Sequence, residues 1–172
     1  MISKLSNFAR SKWPWLGVIT LGLLLEGIAL FYQYVLDEWP CMACIQVRVW
    51  VLFYIIAGIF GLIVYRNDVL RKVAHVLAAI PMAGIVERAW YLYGVEKGTI
   101  ISSCRWDLGY FDWTQLHKLV PTVFGIEGSC GKTPDLLFGI TMAEGLLVVG
   151  VVFALGHLDL LALDILGKRG KK

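Results

Sequence analysis

The chain has 172 residues, of which 58% are apolar, 13% aromatic and only 17% charged, with a mean hydropathy of +0.70. Soluble domains carry about 25% charged residues, so this composition excludes an ordinary water-soluble globule and indicates an integral membrane protein. The net charge of +3 is small and no basic tract reads as a nucleic-acid-binding arm, so the placement of charge carries more information than its sum.

A membrane helix needs roughly 20 mostly apolar residues. The N-terminal stretch MISKLSNFARSKWPW has the basic start of a signal peptide. The apolar run behind it is too long, and no small-x-small cleavage pattern follows, so residues 15–36 are predicted to be a retained first span. A short loop at 37–43 leads to a second span at 45–65. A third follows at 73–93, with Pro81 as a candidate kink, and a fourth at 136–161 after a long loop at 94–135. The expectation is an all-α four-transmembrane-helix bundle, a single integral membrane domain over residues 1–172. In the long loop, DWTQLHKLVPTVF spaces Trp113, Leu116, Leu119, Val120 and Phe124 three or four apart. That spacing predicts a short amphipathic helix lying parallel to the membrane, ended at about Val120 by Pro121.

Ten of the 16 basic residues fall in three segments: Lys4, Arg10 and Lys12; Arg66, Arg71 and Lys72; Lys168, Arg169, Lys171 and Lys172. With four spans these segments share one side, which the distribution of Lys and Arg makes cytoplasmic. Both termini are then cytoplasmic and both cysteine-bearing loops are outside.

All four cysteines, Cys41, Cys44, Cys104 and Cys130, fall on that outer, oxidising side. Four cysteines allow three pairings; the local one is Cys41–Cys44 with Cys104–Cys130. A static staple is a sound reading of Cys104–Cys130. It is a weak one for Cys41–Cys44, because closing so small a loop removes little unfolded-state entropy. Redox chemistry explains a C-x-x-C at a helix N-terminus better. The positive end of the helix and Arg48, one turn below, are expected to favour the thiolate of Cys44, the nucleophilic form. A zinc site is a weaker reading of the four cysteines. Arg48 could simply snorkel to headgroups. Its place beside Cys44 suggests instead a donor to a carbonyl oxygen, and a membrane-soluble carbonyl electron acceptor is a quinone.

The residues PCMACIQVR at the head of span two, and KLVPTVFGIEGSC in the long loop, resemble the DsbB family of bacterial membrane disulfide-generating oxidoreductases. Cys104, Glu26 in span one and the four-span layout also fit. The resemblance covers essentially the whole chain. It implies residence in the bacterial inner membrane and reoxidation of a DsbA-like periplasmic thioredoxin-fold protein. Cys104 would form the mixed disulfide with that partner, and Cys130 would resolve with it by exchange with Cys41–Cys44. Cys44 would pass electrons to a quinone, ubiquinone or menaquinone, supported by Arg48. The quinone-site histidine of the best-known members has no counterpart between His75 and His117; the region reads WYLYGVEKG, so either Tyr91 or Tyr93 substitutes or the contact is absent. Alternatives from other classes are a four-span scaffold with disulfide-stapled loops and, less compatible with the few polar residues in the spans, a transporter.

The remaining polar residues have structural readings. Glu26, Glu87, Arg88 and Glu144 lie in predicted spans and are expected to pair, Glu26 with Arg88 in particular. His75 and His157 are expected at headgroups and His117 toward solvent. Trp13, Trp15, Trp39, Trp90 and Tyr93 read as interfacial anchors. Ala57 to Gly61, AGIFG, reads as a helix-packing motif.

Overall fold

The computed structural model describes residues 2–101, 107–128, 131, 133–137 and 139–169. Among the described residues, four helices are long and apolar enough to cross a membrane: α2 (Trp13–Val35), α3 (Met42–Val64), α4 (Asp68–Glu96) and α7 (Met142–Arg169, apolar to Leu166). They are the expected four-helix bundle, with contacts running α2 to α3, α3 to α4 and α4 to α7. Much of their surface is exposed Leu, Ile and Val, such as Leu23, Leu24, Ile63 and Val148, as lipid contact requires.

Local chemistry explains the helix ends. Pro14 sits in the first turn of α2, where a missing N–H costs nothing. The Asn67 side chain accepts from the N–H groups of Val69 and Leu70 and starts α4 five residues before the predicted span. Helix α4 continues through Pro81 to Glu96. The fourth span begins later than its hydropathy indicates, because Asp135–Leu137 (β1) and Ile140–Thr141 (β2) form a small antiparallel hairpin around Gly139 at φ +77°. An additional helix, α1 (Ile2–Ala9), packs on α7.

The AGIFG motif does pack helices. A Cβ at Gly61 would overlap the Trp15 indole, and one at Gly58 would come within 2.6 Å of Val18. Trp15 is accordingly fully buried, not an interfacial anchor, whereas Trp13, Trp39 and Trp90 are exposed. The small residues let the backbone of α3 approach α2 around that ring.

The helix ends remote from Cys41 hold a polar cluster that the sequence does not reveal. Asp164, fully buried, accepts from Arg10 Nε at 2.7 Å and from Arg71 Nη2 at 2.9 Å, and so ties the α1–α2 junction and α4 to α7. His75 and His157, expected at headgroups, are both buried instead. Their Nδ1 atoms lie 3.4 Å apart, and Tyr54 Oη is 3.1 Å from His157 Nε2. Inside an apolar bundle each imidazole needs a partner, and each ring finds one here, although His75 Nε2 has none among the described residues.

The described part of the long loop holds three short turns where one amphipathic helix was expected: a 3-10 turn at Gly109–Thr114, α5 (Leu116–Leu119) and α6 (Pro121–Phe124). Gln115 at φ +50° breaks the first from the second. Pro121 stops α5 and opens α6, where its fixed φ suits a first turn. Phe111 and Phe124 bury against Ile45 and Val49 of α3, so much of the apolar face covers the bundle. His117 is mostly covered, 3.6 Å from Asp112, not solvent-facing.

Candidate functional site

Pro40 and Cys41 precede the first turn of α3. Cys41 is its N-cap residue, in extended conformation, and its Sγ accepts from the N–H of Cys44 at 3.3 Å. Both cysteines are free thiols. The sequence reading assigned the stabilised thiolate to Cys44. The structure gives the capping position to Cys41, because an N-cap side chain folds back onto the third residue's N–H, which here belongs to Cys44. A hydrogen bond from the Cys44 side chain holds the Cys41 thiol below the usual cysteine range; burial opposes this and backbone N–H groups of the first turn assist. Its alkylation by iodoacetamide should therefore reach half-maximal rate at a lower pH than in the denatured chain. A pH profile that does not move on unfolding would remove the cap. By linkage, a depressed thiol favours the fold while ionised, and that contribution is lost as pH falls through the folded value.

Cys41 and Cys44 open on a cavity of about 230 Å³ with mainly apolar walls, which Arg48 and Glu26 also line. Arg48 is on the face of Cys44 one turn down, as its spacing implies. Its guanidinium does not bond the thiol. Nη1 donates to Gln33 Oε1 and to the Val123 carbonyl, both at 2.6 Å, and Nη2 donates to the Ala29 carbonyl at 3.0 Å. Arg48 thus joins α2, α3 and the long loop from a buried position. Glu26 lies near Arg48, not Arg88. Arg88 pairs with neighbouring Glu87, donates to Gln46 Oε1 at 3.2 Å, and lies over the rings of Tyr91 and Tyr110 at 5.2 and 5.4 Å. From the stretch WYLYGVEKG the cavity takes Leu92, and neither Tyr91 nor Tyr93 lines it.

Besides the Arg48–Val123 bond, further anchors bring the long loop to this site. The N–H groups of Glu127 and Gly128 both donate to the Pro40 carbonyl, at 3.1 and 3.0 Å. A Cβ at Gly128 would overlap the Trp39 carbonyl, so this approach requires glycine. Farther along α3, Gln46 Nε2 donates to the Leu108 carbonyl at 3.0 Å. Cys130 and Cys104 themselves lie outside the described residues. The chain on one side of each is nonetheless held against α3 or its leading residues, two residues before Cys130 and four after Cys104. Sequence reasoning missed Gln33 and Gln46 as tethers. Their signal was present, since an amide inside an apolar span needs a partner.

The family model described as disulfide bond formation protein DsbB matches residues 11–158 of the chain. A disulfide bond formation protein B of Shewanella amazonensis is 33% identical over 159 residues, covering 91% of this chain and 94% of the relative. One from Shewanella loihica is 31% identical, covering 86% of each. Disulfide bond formation protein B 2 of Pseudomonas aeruginosa is 33% identical over 136 residues, covering 78% of this chain and 79% of its own.

Proposed function

The chain belongs to the disulfide bond formation protein DsbB family, a multi-pass membrane protein of disulfide-bond formation, and on that premise we propose that it reoxidises a DsbA-like thioredoxin-fold dithiol protein in the periplasm and passes the electrons to membrane quinone. The reading includes an inner-membrane location with both termini cytoplasmic. The observation that carries it is the shared cavity: a capped C-x-x-C, a buried guanidinium and a carboxyl meet between apolar walls.

A quinone suits this donor set. Its tail is apolar, and its carbonyl oxygens need donors, which Arg48 supplies, beyond its three bonds to protein, in a mainly apolar enclosure. When bound, the quinone supplies a two-electron acceptor of higher potential than a DsbA-type couple near −120 mV. Cys41 and Cys44 deliver the electron pair as they join in a disulfide, and release two protons. Arg48 orients the carbonyl and draws negative charge toward itself. Cys104 is the entry point for the partner. Cys130 carries oxidation between the pairs, and the tether of Glu127 and Gly128 to Pro40 supports its access to Cys41.

The deciding experiment measures loss of oxidised-quinone absorbance by the purified protein in detergent, driven by a reduced DsbA-type protein. Wild type should turn over, and Cys44→Ser should lower the rate at least about a thousandfold by removing one of the two sulfurs the disulfide needs. Cys104→Ser should stop turnover with the protein partner yet leave the chemically reduced Cys41–Cys44 pair able to reduce quinone. A wild type inert with both ubiquinone and menaquinone would refute the assignment.

A further inference from the structure

Glu26 is out of balance with the other buried charges of this protein. At the end remote from Cys41, the Asp164 carboxylate is bonded by both Arg10 and Arg71. Glu26 has a buried Oε1 with no hydrogen-bond partner among the described residues, although Arg48 is close enough to act on its charge. The Arg48 guanidinium is committed to Gln33, Val123 and Ala29 instead. A carboxyl oxygen withdrawn from water and given no donor loses hydration without compensation. The residue lines the cavity that holds Cys41 and Cys44.

Its surroundings single it out as the acid of that cavity. The other titratable groups lining it are Cys41, Cys44 and Arg48 at α3, Tyr32 on α2 and Glu38 in the first loop. Tyr32 donates its hydroxyl to the Asp135 carbonyl at 3.2 Å, and Glu38 is exposed. Helices α4 and α7 contribute only apolar residues and glycine to the wall, Leu92 and Leu146 among them. Arg48 does not give up its proton. Proton transfer inside the cavity therefore falls to Glu26.

Resting on the quinone-reductase reading, we propose that Glu26 is the proton carrier of this cavity: its carboxyl gives its proton to the quinone oxygen and is reprotonated by the one released at Cys44 Sγ as the Cys41–Cys44 disulfide forms. The balance closes. The two thiols lose two electrons and two protons. Both electrons go to the quinone. One proton travels from Cys44 through Glu26, the proton of Cys41 leaves to the aqueous face, and one proton returns from there to the second quinone oxygen. Arg48, held off the carboxyl by its own three bonds, steadies the negative charge without occupying Oε1.

The test has two arms. In the first, the detergent-purified full chain is treated with dicyclohexylcarbodiimide, which modifies protonated carboxyls in apolar surroundings, and the adduct is located by mass spectrometry. Modification should fall on Glu26 and drop severalfold when short-chain ubiquinone is present. In the second, quinone reduction is followed from pH 5 to pH 9 (about the range the carrier should govern) for wild type, Glu26→Gln and Glu26→Asp. Glu26→Gln should lower kcat about 100-fold, with the quinone KM nearly unchanged and a flattened pH profile, and Glu26→Asp should recover part of the rate. Wild-type kcat and pH profile in Glu26→Gln, or carbodiimide modification indifferent to quinone, would overturn the proposal. Thermal midpoints matched to wild type separate this loss from misfolding. If wild type itself reduces no quinone, the underlying reading fails and takes this role with it. A wild type that turns over beside an unimpaired Glu26→Gln fails this role alone.

Discussion

Asp164→Ala should lower the thermal midpoint of the detergent-solubilised protein more than substitution at any exposed polar position. Asp164 is fully buried and its carboxylate balances two guanidiniums, Arg10 at 2.7 Å and Arg71 at 2.9 Å, the latter 3% exposed. Removing the acid leaves Arg71 with Asp68 and the Tyr65 carbonyl, and Arg10 with the Asp164 backbone oxygen alone. Breaking a buried pair costs about 3–5 kcal/mol, and the half-exposed Asp68 carboxylate, still paired with Arg71, offsets only part of that. Asp164→Asn keeps an acceptor and should lose less. The cluster sits at the opposite end of the bundle from Cys41, so the quinone KM of surviving protein should not change. A thermal midpoint equal to wild type in Asp164→Ala would show that the cluster does not join α7 to its neighbours.

Arg48→Ala should raise the quinone KM about 10- to 100-fold, the range that follows from losing a charged hydrogen bond of about 1.5–3 kcal/mol. It should also slow exchange with the long loop, because the Val123 carbonyl loses the donor that draws α6 toward the cavity. Arg48→Lys should recover part of the first effect and little of the second, since an ammonium cannot reach Gln33, Ala29 and Val123 with the planar fork that the guanidinium uses. Steady-state kinetics with quinone and protein partner varied in turn separate the two. An unchanged quinone KM in a folded Arg48→Ala would leave Arg48 as a tether only.

The sequence by itself determined the number of spans, because hydropathy over about 20 residues is a local property of each segment and the bilayer sets its length. It also determined that a C-x-x-C opens the second span with an arginine one turn behind, since helical spacing fixes which face residues share. The packing role of the AGIFG stretch was legible for the same reason, as small residues four apart, here Ala57 and Gly61, permit close approach of helices. Partners across the bundle were not legible. Glu26 lies by Arg48 and not Arg88, His75 meets His157, and Trp15 turns inward, because each depends on how helices far apart in sequence are rotated against one another. The single amphipathic helix became three turns because the αL backbone at Gln115 and the ring of Pro121 break it, while Phe111 and Phe124 are drawn onto α3. The tertiary structure alone decided that Cys41 caps the helix, that Arg48 also bonds α2 and the long loop, and that Glu26 Oε1 has no hydrogen-bond partner among the described residues. Buried donors and acceptors are satisfied by whatever three-dimensional packing brings near, and sequence spacing reports that only within a single helix.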